Sequence, residues 1–90
     1  MTSDIDRHFG DRLRRRRRIL RLTQQQVGER VGVQFQQIQK YESGASRLSG
    51  VRLWELACAL EVCVGYFYAG LQAPPPRTGR SPTGGSQANF

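Results

Sequence analysis

Thr23–Glu42, TQQQVGERVGVQFQQIQKYE, decides how the rest of this chain is read. Thr23 is a favoured helix N-cap, because its hydroxyl can accept a hydrogen bond from a free amide of the first turn. Val27 and Val31 then fall on one face at helical spacing. Gly32 stops that helix, since glycine enters the left-handed conformation of a helix C-terminus without steric cost. The next segment turns Ile38 and Tyr41 inward and surrounds them with Gln34, Gln36, Gln37, Gln39 and Lys40. A glutamine amide can pair bidentately with adenine, and a lysine can reach guanine or phosphate. The stretch therefore predicts a helix over about Gln24–Val31, a tight turn, and a helix over about Phe35–Glu42 whose outer face suits a DNA major groove. Neither Val33 nor Gln34 is a favoured N-cap, so the sequence marks the start of the second helix poorly.

Two residues within these helices are open to more than one reading. Gly28 stands mid-helix, where glycine costs roughly 1 kcal/mol relative to alanine. A steep crossing of two helices, which needs a small residue at the closest approach, would explain it. Phe35 either touches a thymine methyl group or folds back beside Ile38 into the core. The amides themselves have a plainer reading as a solvated face. Surface helices more often use charged residues for that purpose, which favours base contact.

Outward from this stretch the chain remains helical. Residues 1–4 read as a flexible N-terminus and 5–71 as the folded domain. Asp4 or Asp6 caps a first helix that runs to about Leu22, with Phe9, Leu13, Arg16 or Arg17, and Leu20 on its inner stripe. Ser43–Ser46 is a turn, and Ser49 caps a fourth helix over about Gly50–Leu60, with Leu53, Leu56, Ala57 and Leu60 inward. Val62 and Val64 lead into a short fifth helix, about Tyr66–Leu71, burying Phe67 and Tyr68. No segment alternates as a strand does, so the expected fold class is all-α with five short helices. Residues 72–90 turn to Pro, Gly, Ser, Thr and Arg, with consecutive prolines at 74–76, and read as a disordered tail.

Ninety residues make one small domain, near the size at which a single core just holds itself together. Fourteen basic against seven acidic residues give a net charge of +7, which favours a polyanionic partner. No apolar run approaches the roughly 20 residues that span a bilayer. The opening MTSDIDRHFG lacks a signal peptide's apolar core, so a cytoplasmic location is expected and no membrane contact. Cys58 and Cys63 are expected as reduced, packed side chains. With His8 the lone histidine, they cannot complete a four-ligand zinc site. No nucleophile accompanies His8, and neither a glycine-rich phosphate loop nor paired carboxylates occur. The chain reads as no enzyme, with no catalytic residue, metal, cofactor or small-molecule ligand implied. The arginine run of the first helix is either a solvated face or a source of phosphate attraction. Arg14, Arg18 and Arg21 are its candidate phosphate contacts, unranked. Trp54 either covers the core or sits in a dimer contact. The second is favoured, because Leu53 and Leu56 already fill the inner stripe.

The segments LTQQQVGERVGV, QQIQKYESG, RLWELACALEV and VGYF together resemble the Cro/CI-type helix-turn-helix regulators, the XRE family, over about residues 9–71. GDRLRRRRRILRLTQ followed by FQQIQKYESGASR is most similar to short alphaproteobacterial members. The resemblance implies a compact, lambda-repressor-like DNA-binding domain. It implies Phe35, Gln36 and Lys40 as base-reading residues, flanked by Gln37 and Gln39. It implies phosphate contacts from Gln24, from Gln34, and from the Ser43–Arg47 loop through Ser43 and Arg47. Arg17 and Glu42 match a buried ion pair, and the fourth and fifth helices match a dimer surface, here Trp54, Cys63 and Tyr66. Two positions depart from the pattern. Phe35 replaces a more usual glutamine, and Gly65 stands where serine or aspartate caps the fifth helix, which leaves that helix less firmly anchored.

The function expected is a sequence-specific regulator, a repressor rather than an activator, binding a palindromic double-stranded operator as a homodimer. A contact with RNA polymerase or another regulator is compatible with it. The rival expectation is an adaptor or antitoxin-like module that works through protein–protein contacts.

Overall fold

The structure, a computed structural model, describes residues 3–71. It holds five helices in chain order: α1 (Asp4–Ile19), α2 (Gln24–Val31), α3 (Phe35–Ser43), α4 (Gly50–Ala59) and α5 (Gly65–Tyr68). No strand occurs among the described residues. The tail expected over 72–90, and Met1 and Thr2 of the expected flexible N-terminus, lie outside those residues. Helix α3 packs against both α1 and α2, α4 lies on α2, and α5 lies on α1.

The helix ends follow from capping chemistry. Ser3, not Asp4 or Asp6, caps α1: its hydroxyl accepts the Asp6 amide at 3.0 Å. Ser3 holds the extended backbone that an N-cap needs, whereas Asp4 and Asp6 are already helical. Thr23 and Gln26 form a reciprocal box at the head of α2, the Thr23 hydroxyl accepting the Gln26 amide at 3.0 Å and the Gln26 side chain accepting the Thr23 amide at 2.8 Å. Gln34 precedes α3 without a side-chain cap, and Ser49 caps α4. Gly32 and Gly44 close α2 and α3 in the left-handed region. Helix α1 stops at Ile19, short of the expected Leu22, and no glycine marks the place. Arg21 takes the left-handed conformation (φ 59°) and the Leu22 amide bonds back to the Arg17 carbonyl at 3.0 Å.

The buried core is Phe9, Leu13, Val27, Ile38, Tyr41, Leu53, Leu56, Ala57, Leu60 and Phe67, with Leu48 added from the segment before α4. Two glycines permit the backbone to close around it. A Cβ on Gly10 would stand 2.3 Å from the Tyr41 carbonyl oxygen, so α1 and the end of α3 touch backbone to backbone. A Cβ on Gly28 would meet the Val33 carbonyl oxygen at 2.5 Å. The need for a small residue at Gly28 is therefore real, but its cause is the turn folding back on α2 and not a crossing of two helices.

Three expectations fail near the C-terminal end. Helix α5 ends at Tyr68, three residues before the expected Leu71, and Gly65 lies inside it, preceded by Val64 with no side-chain cap. Tyr68 is half-exposed, its ring edge-on to Phe9 at 5.2 Å, because Phe67 alone points into the core. Cys58 and Cys63 are exposed, not packed, since Ala57 and Leu60 take the inward positions of α4. What α5 lacks in capping is offset by a clamp to α1. The Tyr66 hydroxyl donates to the Arg12 carbonyl at 3.0 Å, and Arg12 Nε donates to the Tyr66 carbonyl at 2.9 Å. The same guanidinium lies over the Tyr66 ring, 3.9 Å from its centre.

Candidate nucleic-acid interface

Helix α3 divides cleanly into two faces. Ile38, Tyr41 and Glu42 are buried against α1 and α2. Gln36, Gln39 and Lys40 are exposed and Gln37 is half-buried. Among the described residues none of these four polar side chains hydrogen-bonds the rest of the fold; the bonds around them run from Gln24, Ser43 and Arg52. Their donors and acceptors are left for a ligand. Phe35 is 42% exposed and lies outside the core, although Ile38 three residues on is buried. Of its two readings, burial beside Ile38 is the one the structure overturns. Two shallow grooves flank this face. One is walled by Gln34, Gln36, Gln37, Lys40, Tyr41 and Arg52, and the other by Gln25, Glu29, Val33, Gln34, Phe35 and Gln36.

Behind the face, Glu42 organises the polar joint between α1, α2 and α3. Its carboxylate is 2% exposed and accepts from Arg17 Nε at 2.6 Å and Arg17 Nη2 at 3.0 Å, a two-pronged pairing. Arg17 Nη1 also donates to the Leu22 carbonyl at 3.0 Å, tying the end of α1 to the same joint. Gln24 Nε2 donates to Glu42 Oε1 at 3.1 Å, and Arg14 approaches that oxygen at 3.7 Å. One hydrogen on Gln24 Nε2 is thus committed and the other remains. Gln24 stands at the head of α2, where first-turn amides and the helix dipole favour an anion. Arg14 is shared between Glu42 and solvent, with 43% of its side chain exposed.

The remaining candidates spread around this centre. Arg18, Arg21 and Gln34 are exposed. Arg47 is almost wholly exposed, 3.9 Å from the buried Asp6 carboxylate. Ser43 shapes the loop after α3, donating to the Lys40 carbonyl at 3.2 Å and accepting from the Ala45 amide at 3.3 Å. On the far side, Trp54 is 60% exposed and does not cover the core, with Val51 exposed beside it on α4. Cys63 is exposed, whereas Tyr66 is half-buried in the Arg12 clamp.

Sequence reasoning missed a set of arginines that close helix ends. Arg16 Nε donates to the Leu60 carbonyl at 2.9 Å and Arg30 Nη1 to the Ala59 carbonyl at 2.9 Å, both at the end of α4. Arg52 Nη1 donates to the Val31 carbonyl at 3.3 Å at the end of α2, and to Glu55 at 2.9 Å. The inner stripe of α1 was the available signal. Arg16 and Arg17 both turn inward from it.

The helix-turn-helix family model HTH_3 matches residues 13–67. The chain belongs to this family, in its Cro/CI-type branch. Within it, the chain matches relatives named as transcriptional regulators and not as enzymes. It is 48% identical over 73 residues to a protein of Rhodospirillum rubrum named as a transcriptional regulator in the ATPase CF(0) region, covering 81% of this chain and 68% of that one. It is 38% identical over 86 residues to an HTH-type transcriptional regulator of Sinorhizobium medicae, covering 96% of this chain and 62% of that one. The chain thus spans about two thirds of the length of these relatives. The P22 c2 repressor, solved in complex with a synthetic operator, superposes with a TM-score of 0.62 at 32% identity, over 66% of this chain and 89% of that one. The restriction-modification controller protein C.AhdI of Aeromonas hydrophila superposes with a TM-score of 0.66 at 27% identity, over 69% of this chain and 94% of that one. The five helices are therefore the lambda-repressor-like arrangement of this family. Among the described residues no helix is long and apolar enough to cross a membrane.

Proposed function

We propose that this chain is a sequence-specific, double-stranded DNA-binding transcriptional repressor that acts in the cytoplasm as a homodimer on a palindromic operator. One observation carries the proposal: the outer face of α3 presents Gln36, Gln37, Gln39 and Lys40 with no side-chain hydrogen bond among the described residues, beside the hydrogen-bonded joint at Glu42. Gln36 and Lys40 read base edges, with Phe35, Gln37 and Gln39 contributing. Gln24, Gln34, Ser43, Arg47, Arg14, Arg18 and Arg21 hold the phosphates and set the register. The c2 repressor's complex with an operator supports this use of the fold. The exposed Trp54 and Cys63, with Val51, supply the apolar surface for a two-fold contact, and Tyr66 holds α5 in place beside it. Two such domains would present their α3 helices to half-sites about one helical turn, roughly 34 Å, apart.

Selection from a random duplex library tests this directly. A two-fold-symmetric consensus is expected, and its binding should vanish with alanine at Gln36, Gln37 and Lys40 together. A library that yields no common sequence would refute the proposal. A triple variant that still binds the consensus would show that α3 is not the reading element, whereas a library without a consensus would favour an adaptor role.

A further inference from the structure

We propose that Phe35 reads the C5-methyl group of a pyrimidine in the operator, so that binding distinguishes thymine from uracil and 5-methylcytosine from cytosine at one position of each half-site. This rests on the reading of α3 as the base-reading helix. Phe35 is the first residue of α3, is 42% exposed, and lines a groove with Gln34 and Gln36. It has no donor or acceptor, so it cannot read the hydrogen-bonding pattern of a base. The faces of stacked bases are closed to it within a duplex. The one apolar feature that base edges present in the major groove is the methyl group on C5 of thymine. The groove beside Phe35 offers no cation to the other ligand a DNA-facing residue could meet, a phosphate, which Gln34 can reach only from the rim. Its walls are Gln25, Glu29, Val33, Gln34 and Gln36 together with Phe35 itself. That set contains no lysine or arginine and does contain a carboxylate, which repels a phosphate. Val33, half-buried in the same wall, makes the seat partly apolar. A methyl group placed there takes apolar surface out of water on both sides of the contact.

The test begins with the consensus duplex. Each thymine of a half-site is replaced in turn by uracil, which keeps the pairing with adenine and removes only the methyl group. Affinities are measured for the unaltered chain, for Phe35→Ala and for Phe35→Leu. At one position uracil should weaken binding by the unaltered chain about fourfold per half-site, the effect of about 0.8 kcal/mol for one buried carbon at 1.4 kcal/mol per tenfold. Phe35→Ala should be indifferent to uracil there, while Phe35→Leu, still apolar, should keep part of the preference. With cytosine substituted at that position, 5-methylcytosine should restore a similar factor. Equal uracil sensitivity in the unaltered chain and in Phe35→Ala at every position, or no sensitivity at any, would overturn the inference and leave base reading by Gln36 and Lys40 intact. A selection without a consensus would overturn both.

Discussion

Helices α1 and α3 lie against each other, and both are dense in polar side chains, yet they use them in opposite ways. The inner arginines of α1 are engaged within the fold: Arg12 and Arg16 on backbone carbonyls, Arg17 on Glu42 and the Leu22 carbonyl. The amides and lysine of α3 are engaged with nothing among the described residues and face outward. Half of the six arginines over 12–18 are therefore structural, and the uncharged amides of α3 are exposed chemistry that a charge count does not register. A count of +7 says how strongly a duplex is attracted, because a hydrogen-bonded guanidinium keeps its charge. It does not say which side chains can grip one. That depends on which donors the fold has already used.

The largest way to break the comparison is at Glu42, where α1 and α3 are joined. Glu42→Leu strands Arg17 beside a lost partner and should cost about 3–5 kcal/mol of stability in denaturant unfolding. Arg17→Met should cost a similar amount, and the double variant clearly less than the sum. Additive losses would mean that the two side chains are neighbours without being coupled. Next in size is the backbone contact beside that joint. Gly10→Ala puts a methyl group against the Tyr41 and Glu42 carbonyls and should cost about 2–3 kcal/mol. A loss below about 0.5 kcal/mol, the range of an ordinary surface change, would show that the seam slides open freely. The smallest effect separates the two kinds of arginine on α1 itself. Arg16→Ala should cost about 1.5 kcal/mol through the bare Leu60 carbonyl. Arg18→Ala should stay within about 0.5 kcal/mol and instead weaken binding to specific and random duplex alike.

Much of this was legible in the chain. Thr23, Gly32 and Ser49 announce helix boundaries through chemistry that is local to a few residues. The pairing of Ile38 and Tyr41 at helical spacing orients α3 and so leaves Gln36 and Lys40 outward. Arg17 and Glu42, twenty-five residues apart, came from family likeness and not from any local signal. The misses have a common cause. Gly10, Arg16, Arg30 and Arg52 act on backbone atoms of distant segments, and a carbonyl has no signature in sequence. The end of α1 escaped because Arg21, not glycine, adopts the left-handed conformation there. Phe35 stayed undecided because its spacing to Ile38 fits a core position, whereas it opens α3 on the exposed side.

The account stands or falls on the outer face of α3, and one pair of affinities tests it. Gln36→Ala is measured on the selected operator and on random duplex at the same salt concentration, with unfolding followed in parallel. The expected result is a loss of about tenfold or more on the operator, the discrimination carried by one bidentate pair, with random binding and stability unchanged. An equal loss on both duplexes, or none on either, would contradict base reading by this helix.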